Sequence, residues 1–369
     1  MLLVPLPVFL PHEAAATARV GALLAGLRMA LAAQWPELAS AELRLLQDKG
    51  LSHDHVQLIG QGVLARIPKQ SQMRLSAGVN LLYEHSCFER TAASGHTPHL
   101  HGMLPVSAGL PHGALLVQEV LGIPVQFPQH VQAVVEALAS IHALPLPELA
   151  SRAPLLSASD PLLDLFNEIQ NQAAFLAQAA LPAQVLSRIE SQLAIFSIAC
   201  AEPMRPARAL IAFDAHPGNF LLQTDARAVL VDLEKCRYSY PGLDLAHATL
   251  YTSTSWDIQS QARLSDTEVE QAYGHWERHM VTACAVAARP WHALLRRAMW
   301  LWSITWCAQW RVLSRQRAHA NAHGQDWSAD LSSKALVSHV QERVAHYLHA
   351  PVVEGVCDGL DRFDRAMRS

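Results

Sequence analysis

Residues 209–235 read ALIAFDAHPGNFLLQTDARAVLVDLEK. Leu210-Ile211-Ala212-Phe213 is an apolar run and Asp214-Ala215-His216-Pro217-Gly218-Asn219 a polar loop. Phe220-Leu221-Leu222 opens a second apolar run, Gln223-Thr224-Asp225 turns the chain, and Ala228-Val229-Leu230-Val231 leads into Asp232. Short apolar runs bounded by turn residues predict strands. The pattern is strand, loop, strand, turn, strand, with the side-chain oxygens of Asp214, Asn219 and Asp232 at strand ends.

That trio suits phosphoryl transfer. One carboxylate orients or deprotonates an attacking hydroxyl, and hard oxygens hold Mg²⁺ against the phosphates. Asp214 fits the first role; Asn219, in the same loop, and Asp232, on the next strand, fit the second. An isolated D-x-x-x-x-N would equally be a surface hairpin with ordinary Asp/Asn turn chemistry. The spaced Asp232 favours the site.

The segment resembles the aminoglycoside phosphotransferase/choline kinase family, whose pattern is approximately HGD-x-HPGN, then an aspartate at a strand end, then D-L-A. Here the matching residues are Asp214, His216-Pro217-Gly218-Asn219, Asp232 and Asp244-Leu245-Ala246. Ala212-Phe213 replaces the usual His-Gly, a departure that keeps a catalytically silent, nucleotide-binding or regulatory module as the alternative. The resemblance implies an α+β, protein-kinase-like two-lobe fold: residues 1–121 a small antiparallel-sheet lobe, and 122–369 a mainly helical lobe with the catalytic loop 212–219 and an acceptor pocket. It implies ATP, or GTP, and Mg²⁺ as cofactors, with Asp214 catalytic and Asn219 and Asp232 on the metal.

The same resemblance places further residues. Lys49-Gly50-Leu51-Ser52-His53 partly matches a glycine-containing loop over the phosphates, which puts Gly50 and Ser52 at the nucleotide. Leu64-Ala65-Arg66-Ile67-Pro68-Lys69 matches the strand carrying a phosphate-binding cation. Side chains alternate along a strand, so Arg66 and Lys69 face opposite ways, and the resemblance picks Arg66; an exposed basic residue on an edge strand is the plainer reading. Glu84, on a helix over 79–94, would steady that cation, with Glu89 as alternative. Backbone groups at Gln118, Glu119 and Val120 would meet the base. His216 and Asp244 would brace the loop, although an N-cap would also explain Asp244. Glu234, Trp302 and Trp306 are candidates for an acceptor pocket, since aromatic boxes bind quaternary ammonium groups; tryptophans at helical spacing are more often core.

The chain has 369 residues, 51% of them hydrophobic, and a formal net charge of −4. That is room for one large or two medium domains with a sizeable core. Without a basic excess, a nucleic-acid partner is not expected. The six cysteines are scattered with no CxxC, which favours reduced thiols in a cytoplasmic protein. The apolar start, MLLVPLPVFLPHE, lacks a positive n-region and is interrupted by prolines, so it does not read as a signal peptide. No stretch reaches the ~18 apolar residues of a membrane span. The partners expected are a nucleotide and a small-molecule acceptor, for a monomer or homodimer.

Elsewhere, spacing predicts a helix over 12–35, three strands within 42–69, and an apolar strand over 114–122. Helices follow over 127–143, as two within 160–200, over 291–310 and over 332–348, with a polar connection at 314–330. The run Ile141-His142-Ala143-Leu144-Pro145 resembles the family's helix end and marks His142 as a packing residue. His96, His99 and His101 read as alternating residues on a strand edge rather than as metal ligands.

Overall fold

The computed structural model describes residues 11–47, 52–315 and 333–368. The loop residues Lys49, Gly50 and Leu51 and most of the polar connection 314–330 lie outside the described residues.

Helix α1 (Pro11–Gln34) is followed by β1 (Leu43–Leu45), β2 (His53–Leu58), β3 (Val63–Pro68), α2 (Ala77–Thr91), β4 (Leu100–Leu104) and β5 (Ala114–Gln118). The strands form one antiparallel sheet in the order β1-β2-β3-β5-β4. Alternation decides which face each residue serves. Ala114 and Leu116 pack with Val56, Leu58, Ala65 and Ile67 against Leu27 and Leu31 of α1. Leu115 and Val117 turn the other way, onto Leu81, Tyr83, Cys87 and Phe88 of α2. β3 is central, so Arg66 is not an exposed edge residue; it is buried. β4 is one of the two edge strands, and His101 on it and His99 just before it stack edge-to-face at 5.0 Å.

α1 approaches the loop between β4 and β5 so closely that only glycine fits at one position. A Cβ on Gly26 would stand 1.7 Å from the Gly109 carbonyl oxygen, which is backbone and cannot swing away. Gly26→Ala is therefore expected to destabilise the fold by about 1–3 kcal/mol through overpacking. Urea titration measures this, and a change under about 0.5 kcal/mol, the size of an ordinary surface substitution, would show that α1 does not dock here.

The second part of the chain continues with β6 (Ile123–Pro124), α3 (Val131–His142), α4 (Pro161–Ala173), α5 (Ala183–Ala201), β7 (Ala209–Ile211), β8 (Phe220–Leu222), β9 (Ala228–Leu230) and β10 (Arg237–Ser239). It ends with α6 (Pro241–Thr249), α7 (Tyr251–Thr254), α8 (Asp266–His279), α9 (Thr282–Ala288), α10 (His292–Leu313), α11 (Lys334–Tyr347) and α12 (Ala350–Arg368). Local chemistry sets several starts: Asp160 accepts the Leu162 and Leu163 amides ahead of Pro161, and Ser265 with Glu268 forms a capping box. α10 is the axial helix, packed against α4, α5, α6, α11 and α12.

The strands of 209–230 do not form one meander. β8 pairs with β6 and β9, whereas β7 pairs with β10, a strand the sequence reading did not contain. The loop 212–219 thus crosses from one small sheet to the other. α12 is likewise additional to the helix expected over 332–348. The cysteines are free, all buried but Cys284. Among the described residues no helix is long and apolar enough to cross a membrane.

Candidate active site

The loop after β7 is held from behind. Asp244, fully buried in the first turn of α6, accepts the Ala212 amide at 2.7 Å and the Phe213 amide at 2.8 Å. It does not cap α6, whose N-cap is Tyr240. His142 Nε2 lies 3.0 Å from the same carboxylate, and Trp276 Nε1 lies 3.0 Å from His142 Nδ1. An indole N–H can only donate. His142 therefore accepts at Nδ1 and donates from Nε2, a role beyond packing. Phe213, where the family pattern has glycine, takes φ +61, in the left-handed region that favours glycine. Its ring packs edge-on against Trp302 at 5.3 Å and beneath the Arg237 guanidinium at 3.7 Å. Ahead of β8, a Cβ on Gly218 would fall within 2.9 Å of both Asp257 and His216, so the turn is closed tightly around these two side chains.

On the sheet side, Arg66 Nη2 meets Asp232 Oδ1 at 2.8 Å and Nη1 meets the Val231 carbonyl at 3.1 Å. Burial works against the Asp232 carboxylate, but Arg66 and then His53 outweigh it and hold the carboxyl below its ordinary value. Glu84 does not touch Arg66. It lies 2.9 Å from His53 Nε2 and accepts Asn80 Nδ2 at 2.6 Å, so the acid and the arginine are joined through His53, whose Nδ1 is 3.4 Å from Arg66. Glu89, the alternative acid, pairs with His85. Ser52 Oγ donates to Glu234 at 2.9 Å, and His53 Nδ1 stands 3.5 Å from Glu234. Glu234 therefore belongs to this buried cluster and not to a pocket with Trp302 and Trp306. Burial, reinforced by Asp232, raises its carboxyl to about 7. Desolvation and Arg66 oppose charge on His53, but Glu84 and Glu234 together outweigh them and raise His53 above its ordinary value. Lys69 turns the other way, 3.8 Å from Asp54.

On the opposite side, Lys235 Nζ lies 2.6 Å from Asp214 Oδ2. His247 Nδ1 and His216 Nε2 approach Oδ1 at 3.8 and 4.0 Å. Burial disfavours the Asp214 carboxylate, yet Lys235, His216 and His247 together drive its carboxyl far below the ordinary value. Burial lowers His247 to about 4 and lowers His216 as well, leaving both rings neutral near pH 7. Lys235 also sits over the Trp302 ring at 5.9 Å, and Trp302 Nε1 donates to Glu168 at 2.7 Å. Trp306, one turn on, packs against Trp256 at 6.0 Å. Lys235, His247, His53 and Asp257 carried no expectation from the sequence. No local signal marked Lys235: residues 231–236 form no strand and Glu234-Lys235 lies in a turn, so side-chain alternation assigns neither of them a side.

Asp214 and Asp232 share one site, each acting electrostatically on the other and on His216. Asn219 is joined to both strands' geometry: its Nδ2 donates to the Asp214 carbonyl at 2.9 Å, and its carbonyl accepts the Val231 amide at 2.9 Å. That leaves Asn219 Oδ1 and Asp232 Oδ2 as hard oxygens without a protein hydrogen bond among the described residues, and Asp232 is 26% exposed. Such a pair fits a divalent cation. Arg66 Nε is buried without a hydrogen-bond partner among the described residues, a donor suited to a phosphate oxygen. At the expected base contact, the Gln118 and Glu119 amides already donate to the His99 and Gly62 carbonyls. These two amides are spent, which narrows base recognition there to carbonyls and to Val120.

The fold is that of protein-kinase-like phosphotransferases. A choline/ethanolamine kinase family protein from Mesorhizobium loti is similar at 17% identity and TM-score 0.54, covering 92% of this chain and 99% of that one. Choline kinase from Cryptosporidium parvum is similar at 13% identity and TM-score 0.53, covering 91% and 96%. So is aminoglycoside phosphotransferase APH(4)-Ia in ternary complex with AMP-PNP and hygromycin B, at 15% identity and TM-score 0.55, covering 92% and 98%. No curated protein sequence matches the chain. The model of the phosphotransferase enzyme family matches residues 80–281, more than half of the chain, and the protein belongs to that family.

Proposed function

We propose that the protein transfers the γ-phosphate of ATP, or GTP, to a hydroxyl of a small molecule. The observation that carries this reading is the pairing of Asp214 and Asp232 across one loop, with Arg66 on the second and a free amide oxygen between them. Asp214 receives the acceptor hydroxyl. Asn219 and Asp232 would hold Mg²⁺, which when bound neutralises phosphate charge. Arg66 leaves Asp232 for the phosphates, and Glu84 orients it at one remove through His53. Catalysis is then mostly positioning plus charge stabilisation. We place the lobe boundary near Gly122, with residues 1–121 and 122–369 closing on the nucleotide.

Asp232→Ala is expected to weaken Mg²⁺-nucleotide binding by at least about tenfold, ~1.4 kcal/mol, and to abolish its response to Mg²⁺. Asp232→Asn, which keeps an oxygen near Arg66, retains part of the affinity and still loses the Mg²⁺ response. Calorimetric titration of MgADP against ADP with chelator measures both. Undiminished Mg²⁺ dependence in both variants would remove Asp232 from the metal site. The alternative, a catalytically silent nucleotide-binding module, draws on the replaced His-Gly at Ala212-Phe213. Slow Mg²⁺-dependent ATP hydrolysis without acceptor separates the two.

A further inference from the structure

We propose that Lys235 is a specificity-determining residue that restricts the acceptor to hydroxyl compounds with no positive charge beside the reacting oxygen: neutral polyols and sugars, or hydroxy acids. This rests on the phosphotransferase reading and deepens it.

The groups nearest Asp214 are all nitrogen-bearing. Lys235 takes one carboxylate oxygen at 2.6 Å, and His247 and His216 stand at the other. Lys235 is only 16% exposed, so its charge is poorly screened. A hydroxyl that reaches Asp214 Oδ1 arrives beside this ammonium.

The aromatic wall gives the same answer. An ammonium-binding box needs an open ring face with no competing cation. The Trp302 face is already occupied by the chain's own Lys235. The nearest acid on that wall, Glu168, is committed as well: it accepts the Trp302 indole at 2.7 Å and lies 3.9 Å from Arg237. Arg237 covers Phe213 and donates to the Lys235 carbonyl, adding a second cation behind the first. An amino alcohol or aminoglycoside would set like charges together in a half-buried site and, among the described residues, find no uncommitted acid beside Trp302; Asp257, on the His216 side, already accepts the Gln259 amide. This is the arrangement by which sites reject a wrong partner. A carboxylate or an uncharged hydroxyl neighbour meets no such opposition, and an anionic one gains Lys235 as a partner.

The test uses the full chain with MgATP and compounds in three charge groups: sugars and polyols, sugar acids and hydroxy acids, and amino alcohols with aminoglycosides. ADP release reads turnover. Tryptophan fluorescence with a non-hydrolysable ATP analogue reads binding, and so covers compounds that bind without reacting. Neutral or anionic compounds are expected to exceed cationic ones by at least about tenfold in kcat/KM or affinity, the scale of one unrelieved like-charge contact. Lys235→Met is expected to shrink that ratio at least about fivefold, chiefly through KM of cationic compounds, while Lys235→Arg preserves it. A purely structural lysine would lower all three groups alike. The inference is overturned by a preference for cationic acceptors, by an unchanged ratio in Lys235→Met, or by binding of no neutral or anionic compound. Failure of the wild-type protein to bind MgATP would instead sink the phosphotransferase reading itself.

Discussion

Asp214→Ala is expected to lower turnover by about 10²- to 10⁴-fold, the range of a lost general base or orienting carboxylate. Nucleotide affinity should stay within about threefold of wild type, under 1 kcal/mol. The separation follows from the two-sided layout. Arg66, Asp232, Glu84, Glu234 and His53 form one cluster on the sheet side, linked through His53 and Arg66, and none of them hydrogen-bonds the Asp214 carboxylate. Asp214 instead faces Lys235, His216 and His247. Its carboxyl lies far below the ordinary range because those neighbours outweigh its burial, which makes it a weak base. Its contribution is therefore orientation of the hydroxyl, with proton transfer late, as suits a loose phosphoryl-transfer transition state. Asp214→Asn discriminates further: it keeps the shape and loses the charge, so it should lose nearly as much turnover as the alanine variant. ADP release, with or without an acceptor, measures the first quantity and calorimetry with MgADP the second. Near-wild-type turnover in Asp214→Ala would move the role to another group, with His247 and His216 the nearest.

Much of this was legible in the primary structure, for local reasons. The loop 214–219 and strands β8 and β9 announce themselves because apolar runs sit between turn residues, and a one-residue slip would bury the polar ones. α3 and α10 follow from helical spacing of Val134, Val135, Leu138 and Ile141, and of the tryptophans. What escaped depends on closure between distant segments. β10 is three residues long and polar at both ends, and exists because β7 lies beside it. Lys235 reads as a solvated charge until Asp214, twenty-one residues earlier, is brought to 2.6 Å. Glu234 was expected at the acceptor pocket, but the turn at 234–235 carries it to Ser52 and His53, far away in sequence. His142 looked like packing because its two hydrogen-bond partners lie over a hundred residues away in sequence. Ala212 stands where the family pattern has a histidine, and Asp244 with its buried partners restrains the loop from behind.

That restraint is the basis of the largest stability effect expected. Asp244→Ala should destabilise the protein by about 3–5 kcal/mol, as breaking a buried charged network does, a large share of the ~5–15 kcal/mol that holds a typical domain together. The carboxylate is fully buried and receives the Ala212 amide, the Phe213 amide and the His142 imidazole. Deleting it leaves three buried donors unmade, at about 1–3 kcal/mol each. Removing a buried charge returns some desolvation energy, but the three donors outnumber that gain. The Phe213 backbone offsets part of the loss, because a non-glycine residue at φ +61 costs about 1–2 kcal/mol and deleting the Asp244 bond that holds it there lets it relax. Asp244→Asn keeps one acceptor oxygen and should lose roughly half as much. His142→Phe removes one donor while preserving bulk, so its effect and that of Asp244→Ala should be strongly non-additive, since both act on one network. Urea unfolding of the two single variants and the double variant measures the coupling. Turnover assayed where each variant remains folded should still fall, because the loop that carries Asp214 has lost its anchor two residues upstream. A loss under about 1 kcal/mol for Asp244→Ala, typical of a surface site, would mean that the loop is held by Phe213 packing against Trp302 and Arg237, and not by this carboxylate.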